Sequence, residues 1–417
     1  MMLLTALLVL FLARQANRAE AQRRAVGLIE ATEGGVGYAD DQVNEPGFCA
    51  LSPYVKSGPN WLPDLIGEDY FRTVTVAGFH WQGWDDEQFD PIPDGALRSL
   101  LDLSYLTTLR IDHRTLNGEQ LAFIGSLPSL EVLEITDCIG FNGNALVSFG
   151  NLKKLRVLSL RTQEITDDLL KSIASLRALE ELTLTKSLAS LREDVLEGVT
   201  NVDFTLTDGS GLGPLSKLPR FRKLLLSSPN LGDSGMEEIG RFQHLQELII
   251  GESPFVTDDG LRAIANLRDL ERLCLFDLAT VTDGGISHLG RMNALRDLTL
   301  DNLPGITDTG ISHLGGLKKL QSLSLRQLRI DGSTLAELAE LEHLAHLSLG
   351  DTPISDNGLL AAAAIRSVKG LGVFRVATTD GGVSAFKALR PDLAGGPDFY
   401  YAVHSSAQDA RIFSSGP

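Results

Sequence analysis

The residues of this chain that could take part in catalysis or bind a metal are not spaced as they are in known catalytic or metal-binding motifs. The 417 residues include three cysteines and eight histidines. The cysteines show no CxxC or Cys/His spacing of a metal site, and Cys274 has no partner nearby in the sequence, so we expect an inert thiol. His343 and His346 are three residues apart, which would place them on opposite sides of a strand. With no GxSxG, phosphate-loop or HExxH motif either, we expect no enzyme activity, no cofactor and no metal site.

Composition and charge narrow the function further. The chain is 43% hydrophobic, 22% charged and 6% aromatic, which is typical of a soluble globular or repeat protein and excludes a disordered or collagen-like chain. Lys and Arg total 37 against 54 Asp and Glu, a net charge of −17. That excess argues against nucleic-acid binding, which needs a basic face. The length predicts several domains or an extended repeat array.

An internal repeat covers most of the sequence. It consists of an apolar residue, two others, a leucine, one other, and a leucine or isoleucine, and most copies are 24 or 25 residues apart. The last two apolar residues are two apart, so they point to the same side of a short strand. The clear copies are Leu106–Ile111, Leu130–Ile135, Leu155–Leu160, Leu179–Leu184, Phe221–Leu226, Leu245–Ile250, Leu270–Leu275, Leu295–Leu300, Leu320–Leu325, Leu344–Leu349 and Val368–Val373, with weaker ones at Phe71–Val76 and Val199–Phe204.

A second signature follows many of the predicted strands. It appears at Val256–Leu261, Val281–Ile286, Ile306–Ile311 and Ile354–Leu359. Its Thr-Asp or Ser-Asp pair supplies an oxygen that can cap a helix, and apolar residues three apart after it predict a helix with one buried face. One strand and one helix cannot enclose a core alone. Stacked copies can, which predicts a curved parallel solenoid with strands inside and helices outside.

On these two motifs the chain resembles leucine-rich-repeat proteins of the I-T-D-x-G-L subclass, which include membrane-anchored bacterial proteins and F-box-associated proteins. The resemblance implies an α/β horseshoe over residues 71–393, with parallel strands on the concave face and helices on the convex face. The chain departs from the cysteine-containing version, because Asn266-Leu267 and Gly316-Leu317 stand where that version has a cysteine. No F-box-like segment is evident ahead of the repeats.

The N-terminal segment predicts a membrane anchor. Met1–Ala13 is an unbroken apolar run, about 20 Å long as a helix against a hydrocarbon core of about 30 Å. Arg14, Arg18, Arg23 and Arg24 follow it, so the positive-inside rule favours an anchor with the rest of the chain in the cytoplasm. The alternatives are a cleaved signal peptide, which would leave a secreted protein, and a buried N-terminal helix.

These patterns divide the chain into four predicted parts. Residues 1–21 form the anchor or signal segment, 22–70 an N-terminal cap, 71–393 the solenoid and 394–417 a flexible tail. The insertion around His80–Glu87 is expected to fold over the N-terminal end of the solenoid, with a contact loop as the alternative.

The register of the repeat also predicts a binding face. The residue between the last two apolar positions points to the concave surface, as do its neighbours two before and two after. In this column Leu225, Ile249 and Cys274 are three consecutive apolar residues among polar ones, and Phe276 extends the patch. Lys223, Glu247, Arg272 and Asp297 run beside it. An apolar strip with charges at its rim is typical of a protein-binding site.

We therefore expect a non-catalytic, monomeric interaction module that binds a protein on the concave face of the solenoid and is tethered to a membrane. The alternative is a substrate-recognition subunit of an F-box/ubiquitin-ligase-like or other enzymatic complex.

Overall fold

The computed structural model describes residues 2–32, 34–38, 73–79, 89–141, 143–162, 166–186, 209–394 and 399–402. They fall into two compact units, Met1–Thr205 with Leu218–Arg220 and Leu206–Lys217 with Phe221–Pro417. The predicted insertion at His80–Glu87 and the repeat copy at Val199–Phe204 lie outside the described residues.

In the first unit, strands of successive repeats lie side by side. The elements are α1 (Met2–Glu30), β1 (Gly34–Tyr38), β2 (Val74–Phe79), β3 (Asp90–Pro91), α2 (Asp94–Ser99), a 3-10 helix (Leu100–Asp102), β4 (Thr108–Asp112), β5 (Arg114–Thr115), α3 (Gly118–Ile124), β6 (Val132–Thr136), a 3-10 helix (Gly143–Asn151), β7 (Val157–Thr162), α4 (Asp167–Ile173) and β8 (Glu181–Lys186). Strands β2, β4, β6, β7 and β8 pair in parallel in that order, and β3 pairs with β5.

The second unit repeats the same strand-and-helix alternation. Its elements are a 3-10 helix (Ser210–Lys217), β9 (Lys223–Ser227), α5 (Asp233–Ile239), β10 (Glu247–Gly251), α6 (Asp258–Ile264), β11 (Arg272–Phe276), α7 (Asp283–Leu289), β12 (Asp297–Asp301), α8 (Asp308–Ser312), 3-10 helices at His313–Gly316 and Leu335–Glu340 on either side of β13 (Ser322–Arg326), β14 (His346–Gly350), α9 (Asp356–Ala362), β15 (Gly370–Phe374), α10 (Asp380–Leu389), α11 (Pro391–Ala394) and β16 (Phe399–Ala402). Strands β9 to β16 pair in parallel in chain order.

The core of each unit lies between the strands and the helices. In β10, for example, Leu248 and Ile250 are fully buried, and the helical residues Leu261 and Ile264 that follow are buried as well. No single repeat could bury both sets of side chains, so each depends on its neighbours. The α/β leucine-rich-repeat solenoid predicted from the sequence is confirmed for these repeats.

Helix α1 covers the N-terminal end of the first unit. It packs against α2, β1 and β2, and Ala19, Ala25 and Ile29 on one side of it are buried. The Gln22 Oε1 atom accepts a hydrogen bond of 3.3 Å from the backbone N–H of Val74. Strand β1 pairs antiparallel with β2, so the outermost edge of the parallel sheet is not left open.

The predicted membrane anchor is wrong. Among the helices of the described residues, none is both long enough and apolar enough to span a bilayer. The physical reason lies in α1 itself. The helix continues from the apolar run through four arginines to Glu30, and its later turns pack on protein. The helix also crosses the expected boundary between residues 21 and 22. The division into four parts stays a prediction.

The C-terminal end of the second unit is covered by one arginine and one short strand. The Arg390 side chain is 2% exposed and donates hydrogen bonds to the carbonyl oxygens of Ile365 (2.9 Å) and Val368 (2.6 Å) and to the Asp392 carboxylate (2.8 Å). Strand β16 pairs with β15, although the sequence placed these residues in a flexible tail. Phe399-Tyr400-Tyr401 favours a strand because aromatic residues fit a pleated surface.

In the second unit the Thr-Asp motif links several successive repeats. Each Thr caps its own helix; Thr307, for instance, accepts a hydrogen bond from the Thr309 N–H. The preceding Asp binds the next cap: the Asp283 carboxylate accepts from the Thr307 N–H (2.8 Å) and hydroxyl (2.6 Å). The same bidentate bridge joins Asp233 to Thr257, Asp258 to Thr282, and Asp356 to Thr379.

The glycine of the motif makes room for that bridge. A Cβ atom built on Gly310 would overlap the Asp283 carboxylate. The motif therefore needs Thr to cap the helix, Asp to bridge to the next repeat and Gly to leave room for the carboxylate of the preceding repeat.

Replacing Asp283 with alanine is expected to lower the free energy of unfolding by about 1–2 kcal/mol, because two hydrogen bonds to a charged acceptor are lost between repeats. Chemical denaturation measures the loss. The matched control is Asp380→Ala, since Asp380 opens α10 in the same motif but bridges no later cap among the described residues. An equal loss in both variants would show that the bridge contributes nothing beyond the helix-end charge.

Candidate functional site

The parallel register of the second unit creates one continuous outward surface. In β9 to β15 the second and fourth residues of each strand are buried and the third is partly exposed. The first and fifth residues lie on the same side of the sheet as the third, although the fifth residue of β9, β10 and β14 and the first residue of β15 are buried. We call these outward positions of β9–β15 the strand face. The three rows of the strand face were predicted from the sequence, and the pairing of equivalent residues confirms their register.

The middle row of the strand face contains the predicted apolar residues. Leu225 pairs with Ile249, and Ile249 pairs with Cys274; all three are partly exposed. The row continues with Thr299, Ser324 and Ser348, so the apolar part ends sharply at β12. Adjacent strands are about 4.8 Å apart, and the three side chains therefore form a strip about 10 Å wide. This set is the apolar strip.

Four charged side chains border the strip at the first row. Their charges alternate in sign, and each contacts the next: Lys223 to Glu247 (3.8 Å), Glu247 to Arg272 (3.5 Å) and Arg272 to Asp297 (3.6 Å). We call these four residues the charge ladder. Partly exposed pairs of this kind contribute about 0–1 kcal/mol each to stability. The ladder therefore fixes the positions of charges at a surface more than it stabilises the fold.

Phe276 borders the strip in the fifth row, in a way the sequence did not reveal. A Cβ atom built on Gly251 would overlap the Phe276 ring, so the ring of β11 lies over the glycine of β10. The same arrangement recurs where the Phe374 ring lies over Gly350. The sequence signal is a glycine and a phenylalanine at the fifth positions of adjacent strands. Phe276 extends the apolar surface sideways toward β10 rather than straight outward.

Beyond Phe276 the fifth row has two charged residues, Asp301 and Arg326, and the charged residues Asp351 and Arg375 directly follow the fifth residues of β14 and β15. Arg326 contacts Asp301 (3.5 Å) and Asp351 (4.0 Å), and Arg375 contacts Asp351 (2.8 Å). The Arg326 guanidinium also lies 5.5 Å from the centre of the Phe374 ring, within the range of a cation–π contact. Burial raises the pKa of Asp301, and Arg326 opposes that rise. Charged groups thus lie beside the apolar strip in the first row and beyond Phe276 on the fifth-row side.

The Cys274 thiol within the strip is a poor nucleophile. Burial, with a smaller contribution from Asp301 and Glu247, raises the pKa of Cys274 from 9.0 to about 11. Cys138 is more deeply buried, and burial raises the pKa of its thiol to about 12. The thiolate is the reactive form, so neither thiol is prepared for catalysis. Cys49 lies outside the described residues.

One group of side chains in the first unit has the composition of a metal site. Asp112, His113 and Asp137 each bring one donor atom within 4.8 Å of the others. Asp137 is already paired with Arg161 (2.9 Å), and Asp112 accepts a hydrogen bond from the Thr136 hydroxyl (2.6 Å). Both carboxylates therefore already have protein partners, one of them the Arg161 guanidinium, so the composition of the group alone does not indicate a metal site.

His343 and His346 do not lie on one strand, although the sequence predicted that they would. His346 begins β14, whereas His343 lies in the turn before it. The helical segment ends at Glu340 and a turn follows it, so only the second histidine belongs to the strand.

Comparisons with known proteins return solved structures alone. No family model matches the chain, and no curated protein is similar in sequence. An internalin (inlF) from Listeria monocytogenes is 17% identical, with a TM-score of 0.43, over 83% of this chain and 93% of that chain. An internalin C2 from the same organism is 21% identical, with a TM-score of 0.37, over 54% and 82%. A TLR13–ssRNA13 complex is 16% identical, with a TM-score of 0.42, over 72% and 36%. Likenesses this distant assign no function to the chain.

Proposed function

We propose that this chain is a non-catalytic module that binds a protein partner on the strand face of the second unit. The observation that carries the proposal is the apolar strip. Three adjacent, partly exposed apolar side chains lie between the charge ladder and the Phe276 ring. Protein interfaces place apolar contacts in the middle and charged groups at the rim.

The chemistry of the site favours a protein over other ligands. The strip lies on the surface of a sheet, and neither cavity described in the structure includes any of its residues. A small molecule would therefore leave much of its own surface exposed. Nucleic acid would require a cationic surface, whereas the ladder alternates Lys223, Glu247, Arg272 and Asp297. A protein can bring an apolar side chain to the strip and complementary charges to the ladder.

Each apolar residue of the strip is expected to contribute modestly to the free energy of binding, and the three together contribute more. Complete burial of a leucine or isoleucine contributes about 1.5–3 kcal/mol. Leu225 and Ile249 are already partly buried, so each can contribute about 1 kcal/mol more on binding. The charges set orientation and the association rate.

The repeats themselves fit the I-T-D-x-G-L class proposed from the sequence, since Thr, Asp and Gly of that motif each have a defined contact between repeats. The role in an F-box-like complex stays a prediction, and no contact among the described residues favours it.

The test is proximity labelling from the full-length chain in its native cells, with wild type and the double variant Ile249→Asp/Arg272→Glu. We expect the variant to lose the proteins that wild type labels, because a carboxylate replaces an apolar contact and the ladder loses its central cation. Leu225→Asp/Arg272→Glu provides an independent repetition.

The matched control is Ser324→Asp, which adds a carboxylate to the same row two strands beyond the strip. It should retain the labelled proteins, and circular dichroism should show the same folded signal for all variants. If the double variants and the control label the same proteins as wild type, the strand face is not the binding site.

A further inference from the structure

A cleft lies on the helix side of the second unit, away from the strand face. It has a volume of about 490 Å³ and is formed by α6, α7 and the turns that follow them. Its apolar lining includes the buried residues Leu267 and Met292. A cleft of this size can hold a small molecule or one group of a larger ligand.

The cleft is lined by basic side chains. Arg262, Arg268, Arg291 and His288 all border it, with Asn266 and Asn293 as neutral hydrogen-bonding groups. Arg262 is paired with Asp259 (3.0 Å). Within the part of the chain that the structure describes, Arg268, Arg291 and His288 have no ion-pair or hydrogen-bond partner. This is unusual in a chain with a net charge of −17.

Basic residues at the equivalent positions two repeats away are paired with carboxylates. Arg241, two repeats before Arg291, is paired with Glu238, and Lys318, two repeats after Arg268, is paired with Glu340 (3.1 Å). Asp269 is adjacent to Arg268 in the chain but contacts His244 (3.3 Å). Cationic groups placed together without carboxylates repel one another, and an anion between them removes that repulsion.

We propose that this cleft binds a phosphate group. The arginine guanidinium is a planar fork of donors that matches phosphate oxygens, and Arg268 and Arg291 offer two such forks. Asn266 and Asn293 can donate further hydrogen bonds from their amides. The apolar residues at the base of the cleft would lie beside the organic part of a phosphate ester. The site is independent of the proposed protein-binding face, so either can fail without the other.

Calorimetric titration of the full chain with inorganic phosphate tests the proposal, with Arg291→Glu and Arg268→Glu as the variants. We expect saturable binding by wild type and a loss of at least about tenfold in affinity in each variant, because a charged hydrogen-bonding partner becomes a repelling carboxylate. Thermal melting should be unchanged, since both arginines are exposed.

The matched control is Lys319→Glu, an exposed position one repeat beyond Ala294 that changes the net charge by the same amount. Its affinity should stay within about twofold of wild type. Absence of saturable binding in wild type, or equal losses in Arg291→Glu and Lys319→Glu, would overturn the proposal.

A second titration with phosphoserine distinguishes a phosphate ester from free phosphate as the ligand of the cleft. Tighter binding of phosphoserine than of inorganic phosphate supports a phosphate ester as the ligand, and equal or weaker binding supports free phosphate.

Discussion

Replacing Arg390 with methionine is expected to destabilise the C-terminal end of the second unit by about 2–4 kcal/mol. Methionine retains the apolar stem but removes the donors to the Ile365 and Val368 carbonyl oxygens. A buried acceptor without a partner costs about 1–3 kcal/mol. The hydrogen bond from Arg390, which lowers the pKa of Asp392, is lost as well.

Hydrogen exchange followed by mass spectrometry is the appropriate measurement, because repeat proteins can lose their end repeats before the rest. Protection should fall in peptides from α9 to α11 first. Arg366→Met is the control: Arg366 is exposed and donates one long hydrogen bond to Leu389 (3.4 Å), so its loss should be within about 0.5 kcal/mol. Equal protection in the Arg390 and Arg366 variants would show that Arg390 does not hold the end of the array.

Alkylation of Cys274 in the folded chain is expected to be at least about tenfold slower at pH 8 than in the unfolded chain. A pKa raised from 9.0 to about 11 lowers the thiolate fraction at that pH about a hundredfold. The greater nucleophilicity of a more basic thiolate offsets part of this loss. The sign is fixed by burial: the neutral thiol is favoured in the folded state, so reactivity increases as pH rises toward 11.

Iodoacetamide labelling read peptide by peptide measures this rate without mutation, and the same chain in urea supplies the reference. Between pH 8 and 10 the rate for Cys274 should rise about tenfold per pH unit, whereas an unperturbed thiol levels off above its pKa of 9.0. A folded-state rate that levels off near pH 9 would mean that burial does not raise the pKa of Cys274.

The repeats could be predicted from the sequence because two regular patterns occur together, one within each strand and one from repeat to repeat. Side chains alternate along a strand, and the copies are 24 or 25 residues apart, so the outward position of Ile249 follows from its place between Leu248 and Ile250. The helix caps followed in the same way, since Thr257 directly precedes the helical pattern. Both inferences need only neighbours along the chain.

Other features depend on contacts between distant residues, and the sequence could not supply them. The bridge from Asp283 to Thr307 joins two repeats, and the direction of the Phe276 ring depends on Gly251 in another strand. The membrane anchor was wrong for a similar reason: the apolar run indicated a span, but whether α1 packs on protein depends on β2 and α2.

The carboxylate bridge between repeats is missing at a joint in the second unit, between the turns of Asp331 and Ser355. At the position after Ile330, Asp331 takes the place of the capping Thr and Gly332 that of the bridging Asp, and the Asp331 carboxylate accepts from the Ser333 N–H (2.8 Å) in its own turn. Ser355 therefore donates from its N–H (3.0 Å) and its hydroxyl (3.2 Å) to the backbone carbonyl oxygen of Asp331 rather than to a carboxylate. The interaction between the two adjacent repeats is therefore weaker at this joint. Under mechanical tension applied at the C-terminus, the segment from Ser355 onward would unfold as one piece while the bridged repeats before it stayed folded.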